Sequence, residues 1–288
     1  MGTTVVAIAN QKGGVGKSTT AINLAACLVE LRRRVLLVDL DPQANATSGL
    51  GAEKAIGGSL YGALLGLRSL LDSVRPTAYQ NFDLVPSELD LAGAEMELPK
   101  LDHSQLRLRS ALEPLRRSGY DYVFIDCPPS LGILTINALC AADRVLIPLQ
   151  CEYFALEGLS VIVRVVEDLR AGAHPGLAID GIVMTMYSSR TRLGQQVVRE
   201  VVEHFPGLVY EALIPRTVRL GEAPSYGKPI IVYDPSGLGA AAYRLLAREF
   251  LQRNEVPATP ADGATEPKEP PAAPEALAPP SASSGQAP

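Results

Sequence analysis

Residues 10–20 read NQKGGVGKSTT, and what flanks that run decides the fold. Before it, "TVVAIA" (4–9) is a short apolar run with the composition of a buried strand. After it, "STTAINLAACLVELR" (18–32) has helical periodicity. A glycine-rich turn between a buried strand and a helix is a phosphate cradle. Gly13, Gly14 and Gly16 let backbone N–H groups face an anion, and the helix starting near Lys17 adds its positive end. Lys17 is placed to reach the β- and γ-phosphates, and the Ser18 hydroxyl to ligate Mg²⁺. The run still departs from G-x-x-x-x-G-K-[ST]. Gln11 holds the first glycine position, and an extra lysine, Lys12, stands beside it.

Outward from this loop, short apolar runs alternate with amphipathic stretches. Strands are expected at 35–41, 82–87, 122–130, 144–150, 179–187 and 209–215. Helices are expected near 60–66, 88–97, 104–117, 131–141, 155–171 and 193–204, with a last one in "GAAAYRLLAREFLQRN" that places Tyr243, Leu246, Ala247 and Phe250 on one face. Residues 42–59 are rich in Gly, Ser and Asn and read as a connecting segment. This alternation predicts an α/β fold: a doubly wound, mostly parallel sheet with helices on both faces. Residues 1–253 are expected to form one phosphate-loop domain. Residues 254–288, rich in Pro and Ala, bury too little to fold and are expected to be a disordered acidic tail.

The 288 residues are 47% hydrophobic and contain no tryptophan, which suits helices layered on a sheet. No apolar run reaches the roughly 20 residues that span a bilayer. Met1-Gly2 leads into the first strand without a signal peptide, and Val6 stands where a myristoylation motif wants Ser or Thr. Cys27, Cys127, Cys140 and Cys151 form no C-x-x-C pair and read as free thiols of a cytoplasmic protein. The net charge is −5, but the tail beyond residue 253 holds five acids and one base, so the body is nearly neutral. A nearly neutral body still accommodates a local basic patch.

Two further strand ends carry carboxylates. Asp126 ends "YVFID", where a Mg²⁺-organising acid belongs. Asp39 and Asp41 end "VLLVDLD", and strand alternation puts both on one face. One is expected to bond structurally and the other to face the γ-phosphate; the spacing does not say which.

Four blocks, "KGGVGKST", "VLLVDLDPQANATSGLG", "DYVFIDCPPSLG" and "IPRTVRLGEAPSYGKPI", together resemble the ParA/Soj branch of the deviant Walker A ATPases over about residues 4–253. The resemblance implies an ATP site of Lys12, Gly13, Gly14, Val15, Gly16, Lys17, Ser18 and Thr19, with Pro215 and Thr217 flanking the adenine. It makes Lys12 the signature lysine that reaches a partner subunit's ATP, so that two copies sandwich two nucleotides. It matches Asp41 to the aspartate critical for hydrolysis, making Lys12, Lys17 and Asp41 the catalytic set. Ser18 and Asp126 match the Mg²⁺ site.

What the dimer would bind is read from the rest of the chain. "SSRTRLGQQ" and "PRTVRLGEAPSYGK" carry Arg190, Arg192, Arg216, Arg219 and Lys228, with six basic residues against four acids between 190 and 228. On charge alone this is also the composition of a solvated face. The resemblance matches Arg190 and Arg219 to nonspecific DNA-binding arginines. It implies a weak Mg²⁺-ATPase, stimulated by a ParB/Spo0J-type partner, that coats nucleoid DNA as a homodimer and segregates chromosome or plasmid copies. A MinD-like membrane-associated ATPase is the alternative, but the acidic, proline-broken C-terminus does not suit an amphipathic anchor, so no membrane partner is expected. An iron–sulfur reading finds no matching cysteines. A dethiobiotin-synthetase-like ligase would share the loop but not the DLDPQ and PRTVRLGEAPS blocks.

Overall fold

The computed structural model describes residues 2–54 and 60–255. The elements in order are β1 (Thr4–Ile8), α1 (Lys17–Glu30), β2 (Val35–Asp39), α2 (Asn45–Gly49), α3 (Leu60–Leu64), β3 (Arg75–Pro76), β4 (Phe82–Val85), α4 (Leu91–Glu97), α5 (Arg107–Leu112), β5 (Tyr122–Asp126), α6 (Ile133–Ala141), β6 (Arg144–Gln150), α7 (Ala155–Ala171), β7 (Ala178–Thr185), α8 (Arg192–His204), α9 (Val218–Glu222), α10 (Ile230–Tyr233) and α11 (Leu238–Glu255). Among the described residues the sheet has the order β3-β4-β2-β5-β1-β6-β7. Every pairing is parallel except β3 against β4.

The strands are apolar throughout because both faces are covered. Alternation sends Val5 and Ala7, Leu36 and Val38, and Val123 and Ile125 into one core with α3–α8. Val6 and Ile8, Val35 and Leu37, and Tyr122 and Phe124 enter the other, with α1 and α11. The expected α11 face is buried, with Tyr243, Leu246, Ala247 and Phe250 at most 1% exposed. β1 sits between β5 and β6, so chain connections leave it to opposite sides, and a crevice opens at the carboxyl end of the sheet.

Several expectations need correction. Residues 209–215 form no regular strand. They touch β7 and the residues just past it through isolated bridges, Ile182 to Val209 and Tyr187 to Pro215. The ladder breaks because the Glu249 carboxylate on α11 accepts the Glu211 and Ala212 N–H groups, at 3.0 and 3.1 Å. The connecting segment 42–59 contains α2. The helix expected at 104–117 is interrupted after α5, where Pro114 supplies no N–H and short 3₁₀ turns take over. β2 ends at Asp39, so Asp41 lies beyond the strand and alternation does not relate the two. α11 continues through Glu255, and Asn254 donates to Asp180 at the start of β7. The tail expected to be disordered otherwise lies outside the described residues.

Candidate functional site: a two-lysine phosphate loop

The loop between β1 and α1 is pinned from three sides. Asn10, 2% exposed, donates its side-chain amide to the Pro148 carbonyl of β6 and accepts the Lys12 N–H. The buried Thr185 hydroxyl at the end of β7 donates to the Val15 carbonyl at 2.8 Å. Pro129, in the loop after β5, packs on Gly13. Gly14 and Gly16 have φ of 75° and 88°, a region that glycine enters without strain, and Gly16 opens α1.

The two lysines of the loop behave differently. Lys17 is 6% exposed and turns into the cradle, its Nζ donating to the Lys12 carbonyl at 3.1 Å. Burial pushes its ammonium below the ordinary value, against the charges of Asp126, Cys127 and Asp41. Lys12 turns outward. Its side chain is 45% exposed and pairs with Glu152, just past β6, at 2.6 Å. Ser18 and Thr19 are half-buried on the first turn of α1, facing the crevice.

Three aspartates line the carboxyl ends of β2 and β5. Asp39 is fully buried and engaged: Oδ2 accepts both the Thr47 N–H and the Thr47 hydroxyl at 2.7 Å, and Oδ1 accepts the Asp41 N–H. Burial raises its carboxyl to about 6, and those bonds limit the rise. This gives Asp39 the structural bonding that spacing left open. Asp41 is 5% exposed. Its Oδ1 accepts the Gln43 N–H, and its Oδ2 has no hydrogen-bond partner among the described residues. Asp126 faces Asp39 across the sheet register. It is fully buried, and neither oxygen meets a donor in hydrogen-bond geometry. Burial first, and the Asp39 charge second, hold its carboxyl well above the usual range. The nearby Ser18 hydroxyl and the Lys17 charge oppose that rise.

A cleft of about 210 Å³ opens beside the loop. Its lining includes Gly16, Thr19, Met186, Pro215 and Thr217, so the structure brings the last two to the loop's flank. The Thr217 hydroxyl accepts the Leu220 N–H and starts α9. Met186 adopts a left-handed φ of 51° at the cleft wall, a strained backbone of the kind found at functional positions.

The basic residues lie at the same end of the sheet. Tyr187 and Pro215 form a bridge, and the Arg216 N–H donates to the Tyr187 carbonyl, so the loops carrying Arg190 and Arg216 run side by side. Arg190, Arg192, Arg216, Arg219 and Lys228 are all exposed. Arg219 is partly neutralised by Glu222 at 3.2 Å and lies over the Tyr233 ring.

A family model described as an AAA domain matches residues 3–179. Over 246 residues the chain is 52% identical to the sporulation initiation inhibitor protein Soj of Bacillus subtilis, covering 85% of this chain and 97% of that one. It is also 52% identical to the chromosome partitioning protein ParA of Myxococcus xanthus, over 87% of this chain and 88% of that one. The chain belongs to the ParA/Soj family of partitioning ATPases. A crystal structure of cobyrinic acid a,c-diamide synthase from Mycobacterium smegmatis, with a bound ATP analog and magnesium, superposes with a TM-score of 0.78. It is 38% identical and covers 88% of this chain and 96% of that one. The higher identity of the partitioning relatives over comparable lengths decides between the two names.

Within the ParA/Soj reading, several site residues were not visible in the motif. Thr185, Asn10, Thr47 and Ser87 hold the loop and the aspartates, and Glu152 holds Lys12. Ser87 donates its hydroxyl to the Asp41 carbonyl and its N–H to the Thr47 hydroxyl. Each acts across a long sequence separation. Only the polar residues at the ends of apolar runs, Thr185 and Ser87 among them, hinted at their role.

Proposed function

We propose that the chain is a Mg²⁺-ATP-dependent dimerising switch that binds duplex DNA nonspecifically and drives chromosome or plasmid segregation with a ParB/Spo0J-type partner. The observation that carries this reading is the division of labour between the two lysines. Lys17 is buried toward its own loop, whereas Lys12 projects outward, free to serve a nucleotide held by a second copy once it leaves Glu152.

Glycine-loop N–H groups and Lys17 bind the phosphates, and Pro215 and Thr217 flank the base. The buried, partnerless Asp126 carboxylate beside Ser18 fits a Mg²⁺ ion carried in with the nucleotide, as in the M. smegmatis structure. Among the described residues no cluster of three acidic, histidine or cysteine side chains would hold a metal alone, so Ser18 and Asp126 would hold the ion only together with the nucleotide. Bound there, the ion would neutralise charge on the phosphates. Asp41, with one oxygen free, positions the attacking water. Lys12 supplied in trans makes the closed dimer depend on ATP.

The exposed arginines and Lys228 contact DNA phosphates. Two copies double that patch, so affinity requires the dimer and log K falls by about 0.9 per phosphate neutralised per log unit of salt. DNA binding places the dimer on the nucleoid in the cytoplasm, and hydrolysis separates the copies and releases the DNA. Among the described residues no helix is long and apolar enough to cross a membrane.

Light scattering of Lys12→Ala with ATP tests the reading. The variant is expected to stay monomeric while still binding ATP, and normal dimerisation would overturn the trans role. Binding to random duplex DNA, lost in Arg219→Glu, tests the output. Co-sedimentation with vesicles would favour the MinD-like alternative.

A further inference from the structure

The nucleotide loop and the basic loops beside it occupy the carboxyl end of the sheet. The amino end carries another basic cluster that takes no part in that site. Three consecutive arginines, Arg32, Arg33 and Arg34, join α1 to β2. They close α1 with a paired turn, the Arg33 N–H donating to the Leu28 carbonyl at 3.0 Å and the Arg32 N–H to the Val29 carbonyl at 2.9 Å. The left-handed position in such a turn usually belongs to glycine. Here Arg32 holds it at a φ of 62°, with its side chain exposed. A charged side chain is kept where the backbone alone would favour none.

The cluster extends to two neighbouring elements. The Arg34 N–H donates to Asp121 at 2.7 Å, and its guanidinium lies 5.2 Å from the Tyr120 ring centroid. Arg117 of that loop is 82% exposed, 3.4 Å from Glu113. On α11, Arg244 takes up Glu30 through two bonds of 2.7 and 2.9 Å, and Arg248 stands exposed one turn further on. Hydrogen bonds from Arg244 are the largest influence on the Glu30 carboxyl, holding it below its ordinary value, and the Arg248 charge adds to them. Arg32 and Arg248 have no ion-pair partner among the described residues. Six arginines thus stand against three acids, Glu30, Glu113 and Asp121.

The chain returns to this end as α11 finishes. Phe250 packs edge-on against Tyr122 at the start of β5, and Asn254 bonds Asp180 at the start of β7. Beyond α11 the sequence holds Asp262, Glu266, Glu269 and Glu275 against the single base Lys268. Asp262 and Glu269 lie seven and fourteen residues past Glu255. Those lengths span at most about 25 and 50 Å. Arg248 lies only about 10 Å back along the helix, whereas the basic loops at the far end lie beyond its full length of about 27 Å.

We propose that the acidic segment 262–269 docks on this arginine cluster and masks it from polyanions. The short tether gives its carboxylates an effective concentration of about 1 mM at the nearer cluster, falling with distance toward the farther loops. Opposite charges attract across the contact, and salt weakens it. Uncovered, the arginines would attract any chain of phosphates. Masking therefore confines nucleic acid to the other end of the sheet. The proposal goes beyond the switch described above and does not require it.

The test uses the full chain without nucleotide and a fluorescein-labelled random DNA duplex, read by anisotropy at low salt. Asp262→Asn/Glu266→Gln/Glu269→Gln is expected to bind about fivefold or more tighter than wild type. That gain is expected to vanish in an Arg32→Asn/Arg248→Gln background, where asparagine tolerates the left-handed position. It is expected to keep its size in an Arg219→Glu background. Hydrogen exchange is expected to quicken at residues 30–34 and 117–121 in the triple variant. Unchanged affinity or unchanged exchange would overturn the proposal. So would a gain that survives Arg32→Asn/Arg248→Gln, or one lost with Arg219→Glu, which would seat the segment on the other basic loops. An ATP-bound wild type that fails to bind DNA would refute the function proposed above and leave this result standing.

Discussion

Replacing Thr47 by valine should test how the buried aspartates are held. Thr47 is fully buried, and its hydroxyl does two things at once. It donates to Asp39 Oδ2 at 2.7 Å and accepts the Ser87 N–H at 2.9 Å. Valine keeps the shape and removes both bonds. Losing a hydrogen bond to a charged group costs about 1.5–3 kcal/mol, and an orphaned buried N–H about 1–3 kcal/mol more. The variant should therefore lose about 3–5 kcal/mol in urea unfolding of the nucleotide-free protein at pH 7.5. The loss should also depend on pH. Asp39 titrates at about 6 in the fold, above its unfolded value near 3.8, so its contribution is fully present below about 4 and is lost as pH rises past about 6. The Thr47 bonds hold that rise down, so removing one pushes the folded value further up. Each further unit costs about 1.4 kcal/mol where the carboxyl must ionise. The difference between wild type and variant should thus be larger at pH 7.5 than at pH 5. A loss below about 1 kcal/mol, or one equal at the two pH values, would refute the account of Asp39.

Asp126→Asn removes a buried carboxylate that nothing in the protein pairs, so the nucleotide-free variant should melt a few degrees higher in calorimetry while ATP turnover is lost. Thr185→Val orphans the Val15 carbonyl under the phosphate loop. Calorimetric titration should show ATP binding weakened about 5- to 30-fold, for roughly 1–2 kcal/mol. Gly227→Ala would bring a Cβ to 2.6 Å from Gly51 Cα at a φ of 63°, whereas Gly207→Ala meets open space at a φ of 77°. Thermal melts should show Gly227→Ala losing clearly more than the roughly 1 kcal/mol of backbone strain expected for Gly207→Ala. Asp41→Ala should bind ATP and stay on DNA with turnover abolished, measured by release of phosphate and by dissociation from immobilised duplex.

The loop run and its flanks were sufficient to predict a parallel α/β sheet with a phosphate site, because strand and helix periodicities and glycine placement are local properties. Lys17, Ser18 and Asp126 could be singled out for the same reason, since each sits at a strand end or helix start that the pattern marks, whereas Asp41, beyond the end of β2, was singled out only by the family resemblance. The pairings could not be read in this way. Asp39 and Asp41 are two residues apart, and only the fold shows that Thr47 engages Asp39 while one Asp41 oxygen meets no donor among the described residues. Residues 209–215 have the composition of a strand, but the Glu249 carboxylate, 37 residues or more away, takes two of their N–H groups and breaks the ladder. Thr185 supports the loop from a strand distant in sequence, and Asn10, within the loop, is tied to the Pro148 carbonyl on the equally distant β6. Sequence alone determined the local chemistry of this protein. Tertiary structure decided which groups satisfy one another, because hydrogen bonds and burial depend on neighbours brought together only by folding.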